Sequence, residues 1–154
     1  MTSIERALAA SGMFRNLSPE QLSAVAGLGQ EVDFVDGGPL MLEGEPADRF
    51  FLIREGFVAL QTETPAGAIT IETLHNGDPV GWSWLFEPYI VHFDARSRGV
   101  THAVRFDAAT LRERCDEDPV LGYELMRSFA GVIVERLHAT RIQLLDTYVH
   151  GTVA

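Results

Sequence analysis

Cysteine is nearly absent. Cys115 is the only one in 154 residues, which excludes an intrachain disulfide framework and a thiolate cluster for zinc. Basic residues are also scarce: twelve stand against 22 acidic ones, for a formal charge of -10. That balance repels phosphate backbones and opposes the counterion release on which nucleic-acid affinity depends. This chain alone is therefore expected to bind no nucleic acid. No apolar run approaches the roughly 18 residues of a membrane-spanning helix, and the N-terminus has no basic, apolar leader pattern. Internal repeats and low-complexity segments are missing as well. The expectation is a cytoplasmic protein without a membrane partner.

The chain does have enough apolar residues for a core, 46% against 22% charged, at a length that makes one globular domain over residues 1–154. Residues 1–30 read as a helical lead. Within "NLSPEQLSAVAGLG", Ser18 is the candidate N-cap, Pro19 takes the first helical position, and Gln21 completes a capping box. From 31 to 106 the period drops to two. Short runs such as "EVDFVD", "PLML", "RFFLIREG", "FVALQTE", "AITIETL" and "VTHAVRF" are separated by glycine-rich corners, the pattern of a β sandwich or jelly-roll barrel. Helices return over 107–148: Asp107 caps a short one, and Asp118 with Pro119 opens a long one reaching about Tyr148.

The long helix carries two apolar stripes. Met126, Ala130, Ile133, Leu137, Thr140 and Leu144 follow alternating steps of four and three, the seam of a coiled coil. Leu121, Leu125, Phe129 and Val132 form the other stripe. One stripe is expected on the barrel and the other against a second copy, giving a homodimer; burial of both within one chain is the alternative.

The order of elements, short helices, a glycine-punctuated jelly roll and a long helix, resembles the cyclic nucleotide-binding domain. The likeness rests on "MFRNLSPEQLSAVA", Gly38, "EGEPAD" at Glu43 to Asp48, "FFLI" at Phe50 to Ile53, Gly56 before "FVAL", and "NGDPVG" at Asn76 to Gly81. The last looks like the entry to that family's phosphate-binding cassette. The resemblance implies a mainly β fold with flanking helices and a nucleotide pocket behind Gly81.

The cassette departs from the family pattern. Trp82 stands where the resemblance places a glutamate for the ribose 2′-hydroxyl. The expected phosphate-binding arginine falls on Val91 or His92, followed by Phe93, and Arg96 lies about four residues too late. Each charge-assisted hydrogen bond lost to a phosphate is worth roughly 1.5 to 3 kcal/mol, so ordinary cyclic AMP or cyclic GMP binding is not expected. Gly81, Trp82, Ser83, Trp84, Leu85, His92, Phe93 and Arg96 are the candidate pocket residues. The resemblance adds Thr140 and Arg141 from the long helix. The aromatic cluster admits three readings: a pocket for a different small-molecule ligand, a cavity plugged by its own side chains, or a retained nucleotide site. Trp82 and Trp84, if extended, point to opposite faces, and Trp82 is the expected pocket reporter.

Catalysis is not expected. His75, His92, His102, His138 and His150 make no HxH pair, so a cupin-like metalloenzyme is a remote alternative and no metal or cofactor is implied. Cys115 sits in "RERCDED", where the acids disfavour a thiolate, and Ser83 lacks a nucleophile elbow. The expectation is a stand-alone sensor or regulatory module acting in trans on an unidentified protein partner. A ligand-free dimeric adaptor with a degenerated pocket is the alternative.

Overall fold

Two capping boxes start the chain's first helices. A computed structural model describes residues 1–150. In it Thr2 and Glu5 close the N-terminus of α1 (Ser3–Ala10), while Ser18 and Gln21 do the same for α2 (Pro19–Ala26), with Pro19 leading. Each box satisfies backbone donors that a helix start leaves orphaned. Leu8, Phe14 and Val25 hold this lead against the core.

Six strands follow among the described residues: β1 (Gly29–Phe34), β2 (Pro39–Met41), β3 (Arg49–Thr64), β4 (Gly67–Leu74), β5 (Pro79–Val80) and β6 (Asp94–Asp107). They pair antiparallel in the order β1-β6-β3-β4, with β2 added on β6 and β5 on β3. This is the jelly roll expected from the period-two runs. β1 begins two residues before position 31. The runs "RFFLIREG" and "FVALQTE" are not separate strands but one, β3, whose register against β6 slips on both sides of Glu55. Gly56 makes that slip possible: its φ is +119°, and a Cβ there would lie 2.8 Å from the Val100 carbonyl oxygen. Only glycine tolerates both constraints, so the strand bends here instead of breaking.

Asp107 ends β6 and caps α3 (Ala108–Glu117), accepting from the Thr110 amide at 2.9 Å. Asp118 then caps α4 (Pro119–Val149), 31 residues long and about 46 Å at 1.5 Å per residue. Leu121, Leu125 and Phe129 of one apolar stripe are fully buried against the barrel. The seam faces outward: Met126, Leu137 and Leu144 are 43%, 48% and 55% exposed, Ala130 and Thr140 are exposed, and Ile133 is half-buried. From Leu137 onward every described residue of α4 is exposed. No helix among the described residues is long and apolar enough to cross a membrane.

Candidate functional site

Gly81 turns the chain out of β5 with φ +95°, and the residues after it do not extend. Ser83–Leu85 form a single 3₁₀ turn, which corrects the expectation that the two tryptophans alternate along a strand. A turn of three residues swings both indoles toward the protein on different bearings. Trp84 enters the core. Its ring stacks on Phe50 at 5.1 Å and meets Phe129 edge-on at 5.3 Å, and Phe50 in turn stacks on Phe106 at 4.7 Å. Trp84 is 1% exposed, and its indole N–H has no partner among the described residues. Arg112 of α3 pins the turn from outside, donating to the Trp84 carbonyl at 2.6 Å while its guanidinium lies over the Tyr89 ring.

Trp82 instead lines an open cavity of about 360 Å³, within the usual range of small-molecule pockets, ~300 to 1,000 Å³, and near its lower end. Gly81, Ser83, His92 and Phe93 share its wall. Met41, Leu60 and Val91 complete an apolar lining. Of Val91 and His92, where the sequence count places the phosphate-binding arginine, Val91 is buried and His92 is exposed, and both line the cavity.

The cation of this cavity is one that sequence reasoning missed. Arg136 of α4 lies over the Trp82 ring, 4.9 Å from its centroid, and lines the pocket. Its side chain is only 12% exposed. The guanidinium donates to the Pro79 carbonyl at 3.1 Å, and Nε stands 3.6 Å from a Glu72 carboxylate oxygen. Burial pushes its pKa below the usual arginine value, opposed by Glu72, Asp78 and Glu135; an arginine so placed remains charged. The available signal was helical spacing: Arg136 lies four residues before Thr140, one turn back on the same face.

The remaining candidates lie elsewhere. Arg96 pairs with Pro39 across β2 and β6, and its guanidinium donates to the Gly37 carbonyl at 3.2 Å. It does not line the cavity, because its strand position sends it to the outer corner. Trp84 is consumed by the core, and Leu85 packs against that core half-buried. Thr140 and Arg141 sit on the part of α4 that has already left the barrel, so neither reaches the pocket of its own chain.

A second recess, about 740 Å³, opens between the helical lead, the β4–β5 turn and α4. It is a polar groove bordered by Arg15, Arg127 and His75 as well as Glu72, Asp78 and Glu135. Among the described residues no three His, Cys, Asp or Glu side chains gather as a metal site. His102 is bound to Asp33 at 2.6 Å on the surface. Burial, then Asp116 and Asp118, raise the Cys115 thiol above its usual pKa, which disfavours the thiolate.

The comparisons with known proteins agree with this geometry. A family model described as cyclic nucleotide-binding domain matches residues 31–118. A CRP-like cAMP-activated global transcriptional regulator of Mycobacterium tuberculosis is 30% identical over 98% of this chain and 67% of its own length. A crystal structure of a cyclic nucleotide-binding protein from Geobacter metallireducens GS-15 is 31% identical, with a TM-score of 0.79, covering 90% of this chain and all of that one. A cyclic nucleotide-binding domain from Methylobacillus flagellatus KT shares the fold at a TM-score of 0.81 and 19% identity, over 94% of this chain and 82% of that one. With the barrel, the cassette entry at Gly81 and the long helix in place, the chain belongs to the cyclic nucleotide-binding domain family and is related to CRP-like regulators.

Proposed function

We propose that this domain is a non-enzymatic sensor whose barrel pocket has moved away from cyclic AMP and cyclic GMP and responds to a different small molecule. The response leaves through α4, whose outward seam engages a second copy and, through the dimer, a protein partner in trans. One observation carries the reading: Trp82, at the position of the ribose acceptor, is covered by Arg136, the last residue of α4 that is not exposed. A ligand touching the indole therefore touches the last anchor of the helix. Any difference in its affinity for two positions of Arg136 becomes a shift in the helix equilibrium.

The plugged-cavity alternative has less support, since about 360 Å³ stays open beside Trp82. A ribose finds no carboxylate among the described lining residues, and the segment after Trp82 offers a cyclic phosphate Val91 and His92 where the resemblance expects an arginine. Calorimetry with cyclic AMP and cyclic GMP tests the reading. Both are expected to bind with Kd above about 100 micromolar, equivalent to less than about 5.5 kcal/mol. Saturable low-micromolar binding of either, lost on Trp82→Ala, overturns it.

A further inference from the structure

The charges around Arg136 are divided between two recesses. Glu72, Asp78 and Glu135, the carboxylates that act on its guanidinium, all border the polar groove. Arg136 itself borders both recesses; the cavity on the other side has no carboxylate among its described lining residues, so Arg136 is the only fixed charge described there. The hydrogen bonding is also incomplete. A guanidinium has five N–H donors. Here one nitrogen, Nη2, reaches the Pro79 carbonyl, Nε faces Glu72 at 3.6 Å, and Nη1 has no partner among the described residues. A largely buried cation with unused donors gains more from an added anion than an exposed one does, because the local dielectric is low and part of its hydration is already lost.

Apart from Ser83 and His92, the rest of the wall is apolar. Trp82 and Phe93 contribute aromatic rings, Met41, Leu60 and Val91 contribute aliphatic surface, and the Ser83 hydroxyl and the His92 ring are the neutral polar groups. Such a lining accepts a planar ring and repels a sugar, whose hydroxyls would lose their water without replacement.

Taking the cavity as the sensor's ligand site, as proposed above, we infer that its ligand is a small planar aromatic anion, with its ring against Trp82 and its carboxylate on Arg136. The carboxylate meets the unused Nη1 donor, and the chain's overall negative charge makes this local cation the condition for binding. Cyclic nucleotides fail here on the ribose, whose hydroxyls find no carboxylate among the described lining residues.

The probes are matched acid and amide pairs: benzoate with benzamide, cinnamate with cinnamamide, and indole-3-acetate with indole-3-acetamide. Binding to the full chain is read by tryptophan emission and calorimetry. At least one carboxylate is expected to bind at least tenfold tighter than its amide, and Arg136→Gln is expected to bring the two within about twofold while sparing the amide. Arg136→Lys, which keeps the charge, retains part of the preference. Should Arg136→Gln fail to fold, ionic strength gives the same answer on the native chain: the carboxylate's affinity falls with salt and the amide's does not. Amides binding as tightly as acids overturn the anion assignment and leave the sensor reading standing. No carboxylate binding up to millimolar concentration overturns the assignment as well, and low-micromolar cyclic nucleotide binding overturns both.

Discussion

Arg136 and Trp82 come from opposite ends of the fold's logic, one from the long helix and one from the turn after the cassette glycine, and they meet as a cation over a ring at 4.9 Å. The contact is worth about 0.5 to 2 kcal/mol by its class. More telling is where it sits. α4 is held by Leu121, Leu125 and Phe129 up to this point and is exposed from Leu137 onward. A pocket wall and a helix anchor are the same side chain, so filling the pocket and moving the helix share one set of contacts.

The two tryptophans are expected to separate stability from ligand response. Trp84→Ala empties a fully buried site between Phe50 and Phe129 and should cost about 3 to 5 kcal/mol. Trp84→Phe should cost much less: it keeps a ring in the stack and removes an indole N–H that has no partner among the described residues, an orphan whose burial itself costs ~1 to 3 kcal/mol. Trp82→Ala, at a half-buried position, should lower stability less than Trp84→Ala while abolishing the emission change on ligand binding. Urea titrations of the three variants check this order. A larger loss for Trp82→Ala than for Trp84→Ala contradicts it.

Acid stability should carry a signature of Asp107. The Thr110 amide, bonded to this carboxylate, lowers its pKa below the usual value. A carboxyl group lowered in the folded state stabilises the protein above its unfolded pKa, and that contribution fades as pH falls through the folded value. Asp107→Asn keeps a capping oxygen but removes the titration, so its stability loss relative to the native chain should shrink below pH 4. Asp107→Ala removes the cap altogether and should cost about 0.5 to 2 kcal/mol at neutral pH. Denaturant midpoints at pH 3 and pH 7 decide the matter. An unchanged difference between native and Asn variant across that range rules out the linkage.

The fold was legible because its signals are local. The capping box at Ser18, the period of two, and Asp118 with Pro119 each act within a few residues, and the elements form where those signals stand. The pocket was legible only in part. Gly81, Trp82, Ser83, His92 and Phe93 are contiguous with the cassette and line the cavity together. Trp84 departs from the alternation of an extended segment because a 3₁₀ turn occurs there, and nothing in "GWSWLF" marks that turn. Arg136 was missed because its role depends on where a distant helix crosses the barrel. That crossing is set by the packing of Phe129 against Phe50, a contact between residues 79 positions apart.

Gly56 should tolerate no side chain. Alanine there needs a positive φ of +119° and puts its Cβ 2.8 Å from both the Val100 carbonyl and the Thr101 hydroxyl. These are backbone and buried atoms that do not move aside. Thr101 also donates to the Phe57 carbonyl and bonds Ser97, so a shift there disturbs the β3–β6 pairing. Gly56→Ala is expected to lower the denaturation midpoint by the equivalent of about 1 to 3 kcal/mol. Gly12→Ala is the control, with open space around the added Cβ and no positive φ, and should stay close to the native midpoint.

The outward seam of α4 makes the most direct prediction about assembly. Leu137 and Leu144 lie seven residues apart on one face, are 48% and 55% exposed, and continue the line of Met126, Ala130 and Ile133. A helix leaving the barrel with such a face has no covering surface among the described residues of its own chain. A second α4 in parallel register supplies one, since each apolar position then packs against its own copy. Sedimentation of the native domain at tens of micromolar should show a dimer. Leu137→Asp with Leu144→Asp places four carboxylates in that seam, and the cost of desolvating them opposes association, so the double variant should sediment as a monomer. Both positions are exposed in the single chain, so the variant's barrel should stay folded, with core tryptophan emission unchanged. A native domain that is monomeric at this concentration, or a double variant that remains dimeric, removes the seam from the account.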